Sequence, residues 1–224
     1  MLKRSLIIIF VILIVDQIFK IWIKTNFYLG EEIHVLGNWF IIHFTENEGM
    51  AFGFKFAGDY GKLALSIFRV IAITGIGYYL CLLIKREENK FFIISIAMIF
   101  AGAVGNMIDS AFYGLIYSSS TYYSVASFMP EGGGYAPVLY GKVVDMLYFP
   151  IIEGNYPEWL PFLGGQNFLF FRPVFNIADS SITIGVFVLL ISQRNTIFKK
   201  AEDTQTTHSE ELETVNEKND FNHI

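Results

Sequence analysis

Four apolar stretches separated by polar or basic segments constrain this chain more than any other feature. A helix crossing a bilayer's hydrocarbon core needs about 20 consecutive, mostly apolar residues. The first stretch runs from about Ser5 to Lys24; Leu6 to Val15 is continuously apolar, and Ile18, Phe19, Ile21, Trp22 and Ile23 extend it. Lys3 and Arg4 in front of it look like the start of a secretory signal peptide. No small-x-small cleavage site follows, and the apolar extent is too long, so the stretch reads as an uncleaved transmembrane helix. The other stretches are Leu63 to Ile84, Phe91 to about Ala111, and Pro173 to near Gln193, where proline suits a helix start.

Basic residues set the expected orientation. Lys3 and Arg4 precede the first stretch, Lys85, Arg86 and Lys90 join the second to the third, and Arg194, Lys199 and Lys200 follow the fourth. The positive-inside rule places all three groups, and both termini, in the cytoplasm. The chain is 53% hydrophobic, above the usual soluble share, and its mean hydropathy is +0.45. The net charge of −5 owes much to the acidic stretch after Ala201, which has no apolar period and reads as a disordered tail over 199–224. The expected fold is a mainly α membrane protein. Four transmembrane helices carry a small extracytoplasmic β-sheet and a long extracytoplasmic loop region, all within residues 1–198.

The β region is expected at about 27–58. Asn38 to Thr45 is rich in β-formers, Glu46-Asn47-Glu48-Gly49 carries a turn signal, and Met50 to Phe56 is again apolar and aromatic. Residues 112–172, with Gly132-Gly133-Gly134 and several prolines, are too polar and broken to span. His34 and His43 lack ligand-like neighbours and read as surface or interface residues. Cys81 is the single cysteine, so neither a disulfide framework nor a cysteine metal site is expected. No basic, aromatic-interleaved patch points to nucleic acid, and no cofactor or metal is implied.

Asp16, Asp109, Asp145 and Asp179 all fall at the outer edge of the expected membrane layer. A carboxylate there loses hydration at a cost of kilocalories. Two that converge can share a proton and activate water, as in aspartic proteases. The bland reading makes each a helix N-cap or a lysine partner. Asp16 and Lys20 are spaced i, i+4. They form either a local ion pair at the membrane edge or an inward-facing support for a polar site. Asn106 and Asp109 share a face near the end of a run of small residues, Ala101 to Gly105. Arg69 either snorkels to the headgroups or pairs with a carboxylate. These features admit a peptidase, a proton-coupled membrane transporter using the outer carboxylates, or a structural membrane protein. Transporters usually keep charges nearer the midplane and carry internal repeats, and no convincing repeat is visible.

Five motifs taken together resemble the lipoprotein signal peptidase (type II signal peptidase) family. They are Asp16-Gln17-Ile18-Phe19-Lys20, Asn47-Glu48-Gly49-Met50-Ala51-Phe52-Gly53, Gly105-Asn106-Met107-Ile108-Asp109, Val143-Val144-Asp145 and Phe175-Asn176-Ile177-Ala178-Asp179. The resemblance covers roughly Leu6 to Gln193, and the motifs stand in the family's order. It implies an intramembrane aspartic endopeptidase of the bacterial cytoplasmic membrane. Such an enzyme removes signal peptides from prolipoproteins carrying a diacylglyceryl-modified cysteine, and globomycin-type cyclic peptides inhibit it. By the resemblance, Asp145 and Asp179 match the catalytic pair. Asn47 and Gly49 match the β-region motif, and Asp16, Lys20, Asn106, Asp109, Asn176 and Ala178 match the polar shell. Prolipoprotein substrates and membrane lipids are the implied partners. Two departures stand out. The family motif continues after Asp109 with arginine, where this chain has Ser110; Arg172 is the expected substitute cation, with Lys20 as its competitor, and the bland reading is that Arg172 only anchors the fourth helix at the headgroups. The connections 111–142 and 150–171 are also longer than in compact members.

Overall fold

The computed structural model describes residues 1–48, 58–150, 152–155, 157–162, 164–170 and 173–192. The expected turn residue Gly49, the strand expected at Met50–Phe56, Arg172 and the acidic tail lie outside the described residues.

Helix α1 spans Leu2–Asn26, α2 spans Gly58–Lys85, and α3 spans Lys90–Ile108. Helix α1 is inside out by the standards of a soluble protein. Its buried residues are Ser5, Asp16, Lys20, Ile23 and Lys24, whereas Leu6, Ile7, Phe10, Val11 and Ile18 are exposed. Polar groups at i, i+4 and i+8 form one inward stripe, and the apolar majority faces outward, as a lipid solvent requires. Asn89 caps α3 by accepting the N–H of Phe91. Helix α3 then widens into a π-helical turn over Asp109–Tyr113 before ending at Ile116. Such π-turns re-aim side chains and recur at functional sites.

Three helices are long and apolar enough to cross a membrane: Leu2–Asn26, Tyr60–Lys85 and Lys90–Ile116. The last described helix, Ile177–Ser192, is shorter. At 1.5 Å per residue it rises about 24 Å. Its start departs from expectation. Pro173 lies before a short strand, and the helix begins only after Asn176. A fixed φ suits an extended chain as well as a first helical turn, and here the pairing of Val174 and Phe175 decides between them.

Helix α3 packs against both α1 and α2. Its small residues let the last helix come close. A Cβ on Gly102 would meet the Ala178 carbonyl oxygen at 2.2 Å, so only glycine fits there. At Gly105 a Cβ would stand 3.0 Å from Asp16 Oδ2 and 3.1 Å from Ala178 Cβ.

The strands are β1 (Glu32–Leu36), β2 (Phe40–Asn47), β3 (Val143–Tyr148), β4 (Ile152–Asn155), β5 (Asn167–Phe170) and β6 (Val174–Phe175). A four-stranded antiparallel sheet runs β1-β2-β3-β6. Strands β4 and β5 form a separate hairpin within the 150–171 extension. The turn between β1 and β2 includes Gly37, whose φ is +54°; of the expected turn Glu46-Asn47-Glu48-Gly49, Glu46 and Asn47 lie in β2 and Gly49 lies outside the described residues. Glu46 and Asn47 stay in β2 because β3 supplies their backbone partners, pairing Glu46 with Val144 and Asn47 with Val143.

Alternation along β3 sorts its side chains to two faces. Val144 and Met146 join a buried cluster with Ile23, Phe27, Phe44, Tyr113, Tyr117 and Ala126. Asp145 therefore points to the opposite face.

Candidate active site

Asn176 is where the polar groups of the site meet. Its side-chain amide donates to Asp145 Oδ1 at 2.6 Å, to Asn106 Oδ1 at 3.1 Å and to the Val144 carbonyl at 3.3 Å. It also caps the last helix. Asn176 Oδ1 accepts the Asp179 N–H at 2.9 Å, while Asp179 Oδ2 accepts the Asn176 N–H at 3.3 Å. That is a reciprocal capping box, with Asp179 in the first turn, where the helix dipole favours negative charge. The bland expectation that Asp179 serves a helix start is thus met in part. Its other oxygen does more: Asp179 Oδ1 accepts from Asn106 Nδ2 at 2.7 Å. Asn106 and Asn176 so bring Asp145, from a strand, and Asp179, from a helix, onto one spot.

A fully buried cation lies one layer deeper. Lys20 Nζ stands 2.8 Å from Asp109 Oδ2 and 3.0 Å from Asp16 Oδ2, and donates to Asn106 Oδ1 at 2.9 Å. Both sequence readings of the Asp16–Lys20 pair hold at once, because the i, i+4 pair faces inward and meets the polar site. Asp16 Oδ1 accepts the Ala178 N–H at 2.8 Å, which docks the last helix onto α1. Asp109 Oδ2 accepts the Val144 N–H at 3.2 Å, which docks β3 onto α3. Among the described residues no buried side-chain nitrogen or oxygen lacks a partner.

Asp145 is 3% exposed. Burial, and after it the charge of Asp179, pushes its carboxyl up to about 7, against the opposing pull of Lys20 and of hydrogen bonds from Asn176 and Asn47. Asp179 is half-buried and is the more open of the two. The pair thus offers one carboxyl that keeps its proton near neutrality and a second whose two oxygens each accept a hydrogen bond.

The structure brings together Asp16, Lys20, Asn47, Asn106, Asp109, Asp145, Asn176, Ala178 and Asp179. Gly49 cannot be placed with them, since it lies outside the described residues. Gln17 escaped residue-level reading although it adjoins Asp16. Its amide donates to Asp109 Oδ1 at 3.0 Å and to Asp16 Oδ2 at 3.2 Å, and its carbonyl accepts from the Tyr113 hydroxyl at 3.2 Å. Ser110 brings no charge to the site, for its hydroxyl donates to the Asn106 carbonyl at 3.1 Å. Arg69 on α2 is within electrostatic reach of both Asp179 and Asp145. No group of histidine, cysteine and carboxylate side chains among the described residues could hold a metal ion. His43 instead pairs with Glu32, and His34 meets the Gly37 carbonyl.

Known proteins carry the same arrangement of sequence. A family model described as signal peptidase (SPase) II matches residues 8–194, across every element that builds the site. This chain belongs to the signal peptidase II family. The lipoprotein signal peptidase of Porphyromonas gingivalis is 49% identical over 191 residues, covering 85% of this chain and 82% of its own. That of Amoebophilus asiaticus is 38% identical over 210 residues, covering 91% and 84%. A bacterial membrane enzyme solved by the in meso method at 2.3 Å superposes with a TM-score of 0.59 at 28% identity, covering 88% of this chain and 92% of its own. Signal peptidase II enzymes are proteases, and the apolar helices fit a membrane protein.

Proposed function

We propose that this chain is an intramembrane aspartic endopeptidase that removes signal peptides from diacylglyceryl-modified prolipoproteins, with Asp145 and Asp179 as the catalytic pair. The observation that carries the reading is Asn176. One side chain holds Asp145 and caps the helix turn that presents Asp179. A geometry built only for helix capping would have no use for the strand carboxyl.

Asp145 holds the proton and donates a hydrogen bond to the scissile carbonyl oxygen. Asp179, as the carboxylate, takes a proton from a water between the two. That water's oxygen attacks the carbonyl carbon, and the developing oxyanion takes the Asp145 hydrogen bond. Collapse of the tetrahedral intermediate breaks the C–N bond, and the proton taken by Asp179 passes to the leaving amine. Asn106 and Asn176 fix the two carboxyls for this exchange, and Lys20 balances the charge of Asp16 and Asp109 beneath them.

The basic segments at Lys3–Arg4, Lys85–Lys90 and Arg194–Lys200 support a four-span topology with both termini in the cytoplasm. The catalytic pair then lies at the outer face of the bacterial cytoplasmic membrane, where a lipid-anchored cysteine would hold the scissile bond. Globomycin-type cyclic peptides are the expected inhibitors of such a site.

The deciding experiment is cleavage of a diacylglyceryl prolipoprotein by the purified protein in detergent. Asp145→Asn and Asp179→Asn should each abolish cleavage without loss of the folded, inserted state. Full activity in either variant removes the reading. Solute uptake that depends on an ion gradient, with no precursor cleaved, would favour a proton-coupled transporter.

A further inference from the structure

We propose that the long connection between 117 and 142 is a positioning element for the catalytic pair, acting through a buried Lys24–Glu46–Ser120 cluster on Asn47. The proposal rests on the aspartic-peptidase reading above.

Lys24, in the last turn of α1, is fully buried. It pairs with Glu46 of β2 and donates to Ser120 Oγ at 3.0 Å. Ser120 donates in turn to Glu46 Oε1 at 3.0 Å, which closes a three-membered ring of hydrogen bonds. Lys142 Nζ approaches the other Glu46 oxygen at 3.5 Å. The Tyr135 and Tyr117 rings face Lys24 Nζ at 5.0 and 5.7 Å. The Tyr135 hydroxyl accepts the Lys142 N–H at 2.7 Å, which ties the end of the connection to the start of β3. Ser120, Tyr117 and Tyr135 all come from the connection, so its chain forms one wall of the enclosure.

Burying an ion pair costs several kcal/mol per ion before contacts repay it, and apolar residues of the same size often do as well. A polar cluster kept at such a site fits a role in specifying geometry. The register shows which geometry. Glu46 pairs with Val144, Thr45 with Asp145 and Asn47 with Val143. Glu46 therefore shares the cluster face with Val144, while Thr45 and Asn47 share the opposite face with Asp145. Asn47 sits diagonally across from Asp145, within side-chain reach, and hydrogen-bonds it. The pairing of β2 with β3 shifts between Ile42 and Thr45, so an irregularity separates this end of β2 from the rest of the ladder. Anchoring Glu46 fixes the strand one residue before Asn47.

A connection that only shaped substrate entry would act on KM. A positioning element acts on kcat and on the pH profile. The Asn47 hydrogen bond favours the charged form of Asp145, so losing it makes Asp145 keep its proton to higher pH. The other charged groups facing Asp145 are Asp179 on the last helix, Lys20 on α1 and Arg69 on α2, with Asp109 of α3 on the neighbouring Val144 N–H. Replacement of Ser120 alters none of them.

The test uses the full chain in detergent, cleaving a diacylglyceryl prolipoprotein across the neutral pH range, with Asn47→Ala as the reference. Ser120→Ala should lower kcat about fivefold with KM within about twofold, as expected for an interaction used in the transition state. Its alkaline limb should move upward in the same direction as that of Asn47→Ala, and Ser120→Thr should restore both. The double variant Lys24→Met/Glu46→Met replaces the ion pair by apolar chains of similar length, and should stay folded yet show the same slow, shifted profile. Wild-type kcat in both Ser120→Ala and the double variant overturns the proposal, as does a change confined to KM or a lower kcat with an unmoved limb. Absence of cleavage by the wild type, or full cleavage by Asp145→Asn, would instead remove the peptidase reading beneath it.

Discussion

Asp16 accepts the backbone N–H of Ala178 at 2.8 Å, a bond between the first helix and the last. The same carboxylate holds Lys20 at 3.0 Å. One side chain thus docks the turn that presents Asp179 and supplies half the counter-charge of the buried lysine. Asp16→Ala removes both roles, and breaking a buried pair from one side costs about 3–5 kcal/mol. Because Lys20 keeps Asp109 at 2.8 Å, the expected loss lies at the lower end of that range. Asp16→Asn keeps an acceptor for Ala178 and should fall between the alanine variant and the wild type. Thermal unfolding in detergent, with cleavage assayed on the same samples, checks the order.

Much of this site is legible in the sequence because helices and membrane depth do most of the placing. The spacings of Asp16 with Lys20 and of Asn106 with Asp109 put each pair on one helix face. The apolar stretches then put those faces at one depth. Asp145 is different. Its approach to Asp179 depends on β3 pairing with β2 and β6, a long-range contact that no local pattern fixes. Glu46 and Asn47 carry turn propensity yet lie in a strand for the same reason, held there by a distant partner. Pro173 misled in a similar way. The Asn176–Asp179 capping box lies three residues further on and marks the true helix start. The Lys24–Glu46 pair joins two elements 22 residues apart, with no spacing rule to connect them.

The raised carboxyl of Asp145 has a consequence for stability. Its folded value of about 7 lies above the ordinary 3.8, so folding favours the protonated form. The cost of burying the charge is absent below the ordinary value. It grows as pH rises toward 7 and is full above that. Asp145→Asn carries no charge and escapes the cost, so it should match the wild type below about pH 4 and exceed it by up to about 4 kcal/mol under alkaline conditions. Thermal melts of both proteins at the two pH extremes measure this. A variant less stable than the wild type at alkaline pH would contradict the assigned direction.

In the proposed mechanism the same proton enters the rate. Cleavage should then decline as pH rises past about 7, where Asp145 would lose the hydrogen it offers to the scissile carbonyl. Single-turnover cleavage against pH, with substrate saturating, separates this limb from any change in binding.

The proposed orientation is checked by labelling. Cysteines placed at Glu88 and Thr206, in a background with the exposed Cys81 replaced by alanine, should be shielded from a membrane-impermeant thiol reagent in intact spheroplasts. A cysteine at Ser119 should be labelled. Labelling at Glu88 but not at Ser119 would turn the molecule over and put the aspartates on the cytoplasmic side.

Arg69 bears on what replaces the arginine that the family motif carries where this chain has Ser110. Arg172 is the nearest arginine to Asp179 in sequence, but it lies outside the described residues. Arg69 acts electrostatically on both Asp179 and Asp145. It also belongs to a polar face of α2, with Lys62 and Ser66 at i−7 and i−3, and the Ser66 hydroxyl donates to the Leu139 carbonyl at 2.8 Å. Leu139 has a φ of +70°, a costly conformation for a branched residue, which the bonds of this turn to Ser66 and of Gly141 to Ser110 hold in place. The face that carries Arg69 is therefore packed against the turn feeding β3. An opposite charge near Asp145 favours its ionised form. Arg69→Ala should accordingly move the alkaline limb of the cleavage profile to higher pH and lower the rate at least as much as Arg172→Ala does. Arg69→Lys keeps the charge and should hold the limb near its wild-type position, while Ser110→Arg should recover part of the loss in Arg69→Ala. If Arg69 merely anchors α2 at the headgroups, Arg69→Ala will lower the amount of folded protein and leave the limb where it was. Lys20, which already acts on Asp145 from α1, would then be the cation that sets it.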